Sequence, residues 1–343
     1  MTVRLAAVGR RRWLRLAGAT TLAACAALSL CLPDRAQAAT AADWPTKPVK
    51  IVIAVAAGST GDILARSLAQ RLEGMWKQPV IVENKPGAGG VIGTEYVVNA
   101  TDGHTLLLGT QSSILPKFTT RNLKFDPMTD LVPVYKVINY QLVVAVNAET
   151  APKAKTLREL VDLSKASAGG LFFGGTGQTS VFNLTMALLN KSLGMKYTAL
   201  DFNSIGAMNL AAMRNDAQFL VNTPSSMMPQ IEAGKLRPLA AISAERYPNL
   251  PEVPTLAEAV GYKGYLPLLW AGVFVPKDTP QAVVGRIAKD LATLEADKAF
   301  RSNIESRLSG RMVASSPSAF ARQLAEEASV WKSLVAELNL KPE

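Results

Sequence analysis

Cysteine and histidine are almost absent from this 343-residue sequence, which has two cysteines and one histidine. Both cysteines, Cys25 and Cys31, lie in an N-terminal apolar segment, so the rest of the chain can form no disulfide and no cysteine-ligated metal site. The histidine, His104, follows Asp102-Gly103 and is interpreted as a structural turn residue. We therefore expect neither a Ser-His-Asp triad nor a histidine-rich metal site, and we predict no catalytic residue, metal or cofactor.

The N-terminus has the pattern of an export signal. Arg10-Arg11-Arg12 and Arg15 precede an apolar run over residues 16–32, and Ala36-Gln37-Ala38 supplies a small-x-small cleavage motif. The run is too short for a transmembrane helix and has the wrong flanks for one. We predict a signal peptide at residues 1–38 and a periplasmic protein.

Two features of this segment leave alternatives open. Arg10 to Arg15 also fits the twin-arginine pattern, with Trp13 in place of Phe, so the general secretory route and the twin-arginine route both remain open. Leu22-Ala23-Ala24-Cys25 resembles a lipoprotein cleavage box, which would give a lipid anchor at Cys25. The residues after Cys25 are apolar where a polar tether is usual, so simple cleavage is favoured.

The basic net charge of +10 does not indicate a nucleic-acid partner. Half of it comes from residues 1–38, which contain six arginines and one aspartate. The remaining lysines and arginines are scattered and form no cluster interleaved with aromatic residues, so we expect no nucleic-acid binding.

Apolar runs of strand length alternate with helical patterns along the chain. This alternation predicts α/β units with mostly parallel sheets. One helix start is marked by a capping box, Thr156 with Glu159 three residues later. We predict strands at 49–56, 80–82, 105–108, 140–146, 170–173, 218–221, 239–242 and 271–275, and helices at 62–76, 156–166, 180–193, 206–213, 227–233, 280–292, 297–307 and 317–338.

The most distinctive motif is the glycine-rich run at residues 82–93, Val-Glu-Asn-Lys-Pro-Gly-Ala-Gly-Gly-Val-Ile-Gly. A dinucleotide fingerprint starting at Gly87 and Gly89 would need a third glycine where Ile92 stands, and the Gly-Lys-Ser/Thr of a phosphate loop is missing. The run is therefore either a ligand loop or a structural loop whose glycines serve packing.

This run closely resembles the signature of the Bug family, the TctC-like receptors of bacterial tripartite tricarboxylate transporters. Further blocks carry the resemblance over nearly the whole chain beyond the signal, at residues 102–109, 125–134, 234–240 and 250–258. The resemblance implies an α/β, two-lobed periplasmic binding protein (type II, Venus-flytrap), each lobe a mostly parallel sheet flanked by helices. Lobe 1 would comprise residues 44–141 and 274–343, lobe 2 residues 142–273, with the ligand cleft between them.

The resemblance also implies a function. The protein would be a monomeric receptor that captures a small organic anion, a carboxylate, and passes it to the membrane subunits of a tripartite tricarboxylate transporter. It would not be an enzyme. The alternative is a sensory receptor that signals to a membrane sensor kinase, and the sequence alone does not separate the two.

Loops that join a strand end to a helix start are the expected ligand site, since free backbone N–H groups and the helix dipole attract anions there. Two glycine- and hydroxyl-rich loops fit, at residues 56–62 and 174–180, and a third lies at 110–113. Simple helix capping is the alternative role for their hydroxyls. The predicted ligand-binding residues are Ala57, Gly58, Ser59, Thr60, Asp62, Thr110, Gln111, Ser112, Gly175, Thr176, Gly177, Thr179, Ser180, Asn203, Ser204 and Asn222.

These loops depart from the family pattern. Ala56-Ala57 stands in place of prolines, Asn183 in place of a common histidine, and Asp201-Phe202-Asn203-Ser204 in place of Pro-Tyr-Lys-Gly. The departures leave the identity of the ligand open.

Overall fold

The computed structural model describes residues 43–150 and 153–340, and the predicted signal peptide at 1–38 lies outside the described residues. The described residues from Pro45 onward form one compact unit. The strands are β1 Val49–Ile53, β2 Val80–Asn84, β3 Thr105–Thr110, β4 Leu131–Tyr140, β5 Val143–Asn147, β6 Leu171–Gly175, β7 Tyr197–Asp201, β8 Phe219–Asn222, β9 Leu236–Ala241, β10 Leu269–Pro276 and β11 Gly310–Met312. The helices are α1 Thr60–Trp76, α2 Val91–Val98, α3 Gln111–Ile114, α4 Pro116–Thr119, α5 Leu157–Ala166, α6 Val181–Leu193, α7 Ile205–Met213, α8 Pro224–Glu232, α9 Leu256–Val260, α10 Gln281–Ala296, α11 Lys298–Leu308 and α12 Pro317–Glu337.

The strands form two separate sheets. The first has the order β11-β4-β10-β3-β1-β2 and the second the order β7-β6-β8-β5-β9. In the first sheet β1 is parallel to β2 and β3, whereas β10 is antiparallel to β3 and β4, and β11 is antiparallel to β4. In the second sheet β6 is parallel to β7 and β8, and β5 is antiparallel to β8 and β9. The two-lobed α/β fold is therefore confirmed, with the correction that both sheets are mixed and not mostly parallel.

A two-residue connection orients the two sheets. β4 ends at Tyr140 in the first sheet and β5 begins at Val143 in the second. The edge of the first sheet at which β4 ends must therefore face the edge of the second at which β5 begins. Pairing of Tyr140 with Leu269, and of Ala271 with Thr110, brings the carboxyl ends of β1 and β3 to this edge. Pairing of Val143 with Asn222 likewise brings the carboxyl end of β8 to the facing edge of the second sheet. The carboxyl ends of β6 and β7 lie at the same edge, because both strands run parallel to β8.

Residues 140–146, predicted as one strand, are thus two strands in different sheets. The run from Tyr140 to Val146 is apolar apart from Gln141, so its spacing alone did not reveal the break. Backbone groups at the break are satisfied by other elements: the Gln141 N–H donates to the Ser309 carbonyl at 2.9 Å, and the Leu142 N–H donates to the Tyr247 hydroxyl at 3.1 Å. The sequence patterns also missed β4 before Tyr140, β7, β11 and the short helices α3, α4 and α9.

The predicted lobe boundaries stay a prediction. β10 pairs with β4 along its whole length from Leu269, so in our proposal the second lobe ends near residue 268 and not at 273.

Several apolar clusters of buried residues hold these layers together. One lies around β3, β10 and α12 and includes Leu107, Phe274 and Phe320. A second surrounds the strands of the second sheet together with α5 and α6. A third joins the lobes, because Leu184 and Leu188 of α6 pack with Trp331 and Leu334 of α12.

Local sequence accounts for the main helices. In α1, Leu64, Leu68 and Leu72 recur at helical spacing and are fully buried, and Lys77 ends the helix in the left-handed conformation at φ 56°. The predicted capping box is confirmed at α5, where the Thr156 side chain accepts the Glu159 N–H at 3.2 Å and Glu159 accepts the Thr156 N–H at 2.9 Å.

A buried carboxylate supports β10. The indole N–H of Trp270 donates to both oxygens of Glu327, at 2.9 and 3.1 Å, and Gln323 donates to the same carboxylate at 2.6 Å. Burial raises the pKa of Glu327, and although these hydrogen bonds and nearby Lys136 lower it, the net pKa lies above its ordinary value of 4.5. Trp270 itself contacts Phe320 edge-on, with ring centroids 5.1 Å apart.

The raised pKa of Glu327 predicts a pH dependence of folding. The folded state binds this proton more tightly than the unfolded chain does, so stability falls as the pH rises from 4.5 through the folded-state pKa. Glu327→Gln keeps an acceptor for Trp270 but does not titrate. As the pH rises from 4.5 through the folded-state pKa, the free energy of unfolding of wild type should therefore fall relative to that of Glu327→Gln. The measurement is urea unfolding of both proteins at a series of pH values. Glu326→Gln, an exposed neighbour on α12, should leave the trend in place, and parallel curves for wild type and Glu327→Gln would contradict the prediction.

Candidate functional site

The predicted loops meet at the two facing sheet edges. The first loop, residues 56–62, follows β1, and the third loop, residues 110–113, begins at the end of the adjacent strand β3. The second loop, residues 174–180, follows β6 on the opposite lobe, and residues 201–204 follow its parallel neighbour β7. The topology therefore brings loops from both lobes to one space, which we call the interlobe cleft.

Asp62 holds the first loop in shape. It is buried, with 4% of its surface exposed, and its carboxylate accepts hydrogen bonds from the Gly58 N–H at 2.9 Å and the Asn84 amide at 3.1 Å. Arg66, one turn further along α1, donates to the same carboxylate at 3.0 and 3.1 Å. Burial raises the pKa of Asp62, but the hydrogen bonds from Arg66, Gly58 and Asn84 outweigh burial and hold it below its ordinary value of 3.8. Asp62 is thus an internal anchor of the loop.

The start of α1 leaves donors that face the cleft. The Ser59 side chain caps the helix by accepting the Asp62 N–H at 3.3 Å, which leaves the hydroxyl proton to donate elsewhere. The N–H groups of Thr60 and Gly61 belong to the first turn, where no carbonyl of the same helix can accept them. Ala57 and Gly58 lie beside them and are exposed, so this part of the loop is open to solvent.

The third loop is mainly structural. Thr110 and Ser113 form a capping box at the start of α3. The Gln111 side chain is 1% exposed, and its amide donates to the Leu268 carbonyl and accepts the Trp270 N–H at 3.2 Å. Gln111 therefore fastens the third loop to β10, and its buried amide, predicted as ligand-binding, has a structural role. Thr110 and Ser112 are half-buried at the cleft edge.

The glycine-rich run packs against this loop. Gly90 has φ 104°, and a Cβ there would lie 2.7 Å from the Ser112 carbonyl oxygen. A Cβ on Gly93 would lie 2.8 Å from the Lys85 carbonyl oxygen and 2.9 Å from Ala54. Such distances exclude any side chain, so these glycines allow close packing behind the first and third loops. Of the two interpretations, the structural loop fits this geometry.

The second loop is organised by Asn183, which stands in place of the family's common histidine and was not among the predicted ligand-binding residues. Its side-chain oxygen accepts the Thr176 N–H at 3.0 Å and the Ser180 hydroxyl at 2.9 Å. Ser180 in turn accepts the Asn183 N–H at 3.3 Å and so caps α6. A Cβ on Gly175 would collide with the Asn183 side chain, which explains the glycine there. Thr179 and Gly177 are half-buried beside this group.

Asp201 completes this network from the end of β7. Its Oδ1 accepts the Asn183 amide at 2.8 Å and the Gly177 N–H at 3.0 Å. The contact depends on the pairing of Gly175 with Asp201 between β6 and β7, a strand that the sequence patterns did not reveal. In the sequence, the role of Asp201 was indicated only by the replacement of the family's Pro-Tyr-Lys-Gly by Asp-Phe-Asn-Ser at residues 201–204.

The remaining predicted residues divide into two groups. Asn203 and Ser204 are exposed, and Ser204 caps α7 by accepting the Ala207 N–H at 3.2 Å. Asn222 is fully buried; its amide donates to Asn209 at 2.9 Å and its oxygen accepts the Thr223 N–H at 2.7 Å. Asn222 therefore belongs to the scaffold beneath the cleft.

The interpretation of His104 as a structural residue is confirmed. Its Nε2 accepts the Thr46 N–H at 3.2 Å, so the ring proton is on Nδ1 and is donated to the Asp102 carbonyl at 3.0 Å. Within residues 43–150 and 153–340, no group of three or more His, Cys, Asp or Glu side chains is placed to bind a metal ion. None of the helices in these ranges is both long and apolar enough to cross a membrane.

Comparison with known proteins agrees with this architecture. A family model described as tripartite tricarboxylate transporter family receptor matches residues 64–340. A UPF0065 protein of Bordetella bronchiseptica is 30% identical over 325 residues, which cover 94% of each chain.

Solved structures with the same fold include proteins determined together with organic acids. The periplasmic binding protein BugD is 27% identical, with a TM-score of 0.75 over 88% of this chain and 100% of its own. A protein of R. palustris solved with adipate is 26% identical, with a TM-score of 0.76 over 86% of this chain and 98% of its own. MatC from Rhodopseudomonas palustris, solved with malate, is 25% identical, with a TM-score of 0.72 over 85% of this chain and 100% of its own.

The anchoring role of Asp62 predicts loss of stability on Asp62→Asn. The NH2 group of the asparagine would face N–H groups that now donate hydrogen bonds to the Asp62 carboxylate. We therefore expect the free energy of unfolding to fall by about 1–3 kcal/mol at pH 7. Because the folded-state pKa is depressed, the contribution of Asp62 is present above pH 3.8 and is lost as the pH falls through the folded-state value. The difference between wild type and variant should therefore shrink in acid, as measured by denaturant unfolding.

Glu73→Gln is the matched control, since Glu73 is an exposed carboxylate on the same helix. It should change stability little at any pH. Equal effects of the two substitutions would contradict an anchoring role for Asp62.

Proposed function

Because this chain belongs to the receptor family of tripartite tricarboxylate transporters, we propose that it captures a small organic carboxylate in its interlobe cleft and delivers it to the membrane subunits of such a transporter. Members of this family are periplasmic solute-binding receptors and not enzymes. Capture of a solute requires only binding and release, so no catalytic group is needed in the cleft.

The observation that carries the proposal is the open start of α1 at the cleft. The Ser59 hydroxyl and the N–H groups of Thr60 and Gly61 lie within one helical turn, where the helix dipole also favours an anion. The Asp62 carboxylate is fully engaged with Gly58, Asn84 and Arg66, so its charge is compensated within the loop. A ligand carboxylate would meet neutral donors, each contributing about 1.5–3 kcal/mol to a charged acceptor.

Two relatives favour a dicarboxylate or hydroxy-dicarboxylate as the ligand class. The R. palustris protein was solved with adipate and MatC with malate. Both have the fold of this chain over most of their length, and the helix start that follows β1 is part of that fold. We therefore propose carboxylates of four to six carbons as the first compounds to test.

We also propose that the protein reaches the periplasm through cleavage after Ala38, with a lipid anchor at Cys25 as the alternative. N-terminal sequencing of the protein from the periplasm of a Gram-negative host should give Ala39 as the first residue. An acylated N-terminal Cys25 would support the anchored form instead, and an intact Met1 would contradict both.

A ligand that binds only the native state should stabilise it. At one hundred times its Kd, a suitable carboxylate should add about 2.7 kcal/mol to the free energy of unfolding. The measurement is a thermal-shift screen of succinate, malate, glutarate and adipate, with the hits confirmed by calorimetry. Stabilisation by a sugar or a nucleotide alone would contradict the proposal.

Ser59→Ala tests where the carboxylate binds. The variant loses a cap, worth about 1 kcal/mol of stability, and it also loses a donor to the ligand. We expect affinity for the best acid of the screen to fall about tenfold or more. Ser316→Ala is the matched control, because Ser316 caps α12 in the same way, accepting the Ala319 N–H at 3.2 Å. If both variants lose stability and neither loses affinity, the carboxylate does not bind at the start of α1.

A further inference from the structure

The two lobes offer the cleft opposite chemistry. On the first lobe the aspartate of the loop, Asp62, is buried and paired with Arg66. On the second lobe the aspartate beside the loop, Asp201, is exposed, and among the described residues it forms no ion pair. The second lobe therefore carries a carboxylate at the cleft that no Lys, Arg or His of the described parts of the chain pairs with.

Asp201 also occupies donors that would otherwise hold an anion. The Gly177 N–H and the Asn183 amide both donate to its Oδ1. The Thr176 N–H and the Ser180 hydroxyl donate to Asn183. The second loop resembles an anion site in sequence, but these donors are already hydrogen-bonded to Asn183 and Asp201 and are not free for a ligand.

The second oxygen of Asp201, Oδ2, accepts no hydrogen bond from the described residues. Asp201 is exposed at the end of β7, on the sheet edge that faces the first lobe. A carboxylate group brought against Oδ2 would meet a like charge, whereas an ammonium group would gain a charge-assisted hydrogen bond.

We propose that Asp201 determines specificity, and that the ligand of this receptor is a carboxylate that also carries an ammonium group. The carboxylate binds at the start of α1, and the ammonium group donates to Asp201 Oδ2. The inference rests on the proposed function for the first of these contacts, and it narrows the dicarboxylates proposed there to those that carry an amino group.

Asp201→Asn isolates the charge. Only Oδ1 of Asp201 takes part in the internal network, and an asparagine oxygen can accept the same two hydrogen bonds. The substitution therefore replaces only the unpaired Oδ2, and the apo melting temperature should stay close to that of wild type. Asp216→Asn is the matched control, because Asp216 is an exposed aspartate of the same lobe that precedes β8 and so lies at its opposite end from the cleft.

The test compares pairs of acids that differ only in the amino group: succinate with aspartate, and glutarate with glutamate. Calorimetry on the exported protein should show the amino acid of a pair binding at least about tenfold more tightly. This preference should disappear in Asp201→Asn and persist in Asp216→Asn. 1,4-Diaminobutane is included as an amine without a carboxylate.

Each result separates this inference from the proposed function. If succinate or glutarate binds as tightly as its amino counterpart, or if the preference persists in Asp201→Asn, the inference is overturned and carboxylate capture stands. If the diamine alone binds, and loses affinity in Asp201→Asn, cation recognition by Asp201 stands and carboxylate capture fails. If none of the five probes binds, this inference is overturned, and carboxylate capture is then decided by the malate and adipate arms of the thermal-shift screen.

Discussion

The short passage of the chain from one sheet to the other is the constraint on which the cleft depends. With only Gln141 and Leu142 between β4 and β5, the two sheets cannot turn their carboxyl edges away from each other. β10 returns to the first sheet beside β4, so both covalent passages join that sheet at neighbouring strands. Every loop that follows β1, β3, β6 or β7 then opens toward the same space. A ligand site assembled from both lobes follows from this topology before any side chain is considered.

The two lobes differ in what happens to the hydrogen-bond donors at the start of the helix that follows each loop. In the first loop the charge of Asp62 is compensated by Arg66, and the donors of Thr60 and Gly61 remain for a ligand. In the second loop Asn183 and Asp201 take the donors and leave one carboxylate oxygen unpaired. The cleft is therefore electrostatically asymmetric, although the two loops look alike in sequence.

Much of the fold could be predicted because the signals are local. Helix α1 shows its leucine spacing, and Thr156 with Glu159 marks the start of α5, so these elements follow from neighbouring residues. Strand β7 did not show itself because it is a mostly exposed edge strand without clean alternation. The role of Asp201 depends on its register against Gly175, and the buried positions of Gln111 and Asn222 depend on contacts with distant segments. No spacing along the chain encodes such contacts.

Helix α6 connects the site to the body of the protein. Its first turn carries Asn183, which organises the second loop, and the next turns bury Leu184 and Leu188 against Trp331 of α12. Because a close-packed interface of this kind is not continuously deformable, the second loop moves with α12 and the first lobe as long as the interface is intact. This apolar interface therefore contributes to the spacing between Ser59 on one lobe and Asp201 on the other. The length of ligand that can bridge them is therefore determined by packing, while the choice of charge at each end is determined by the loops.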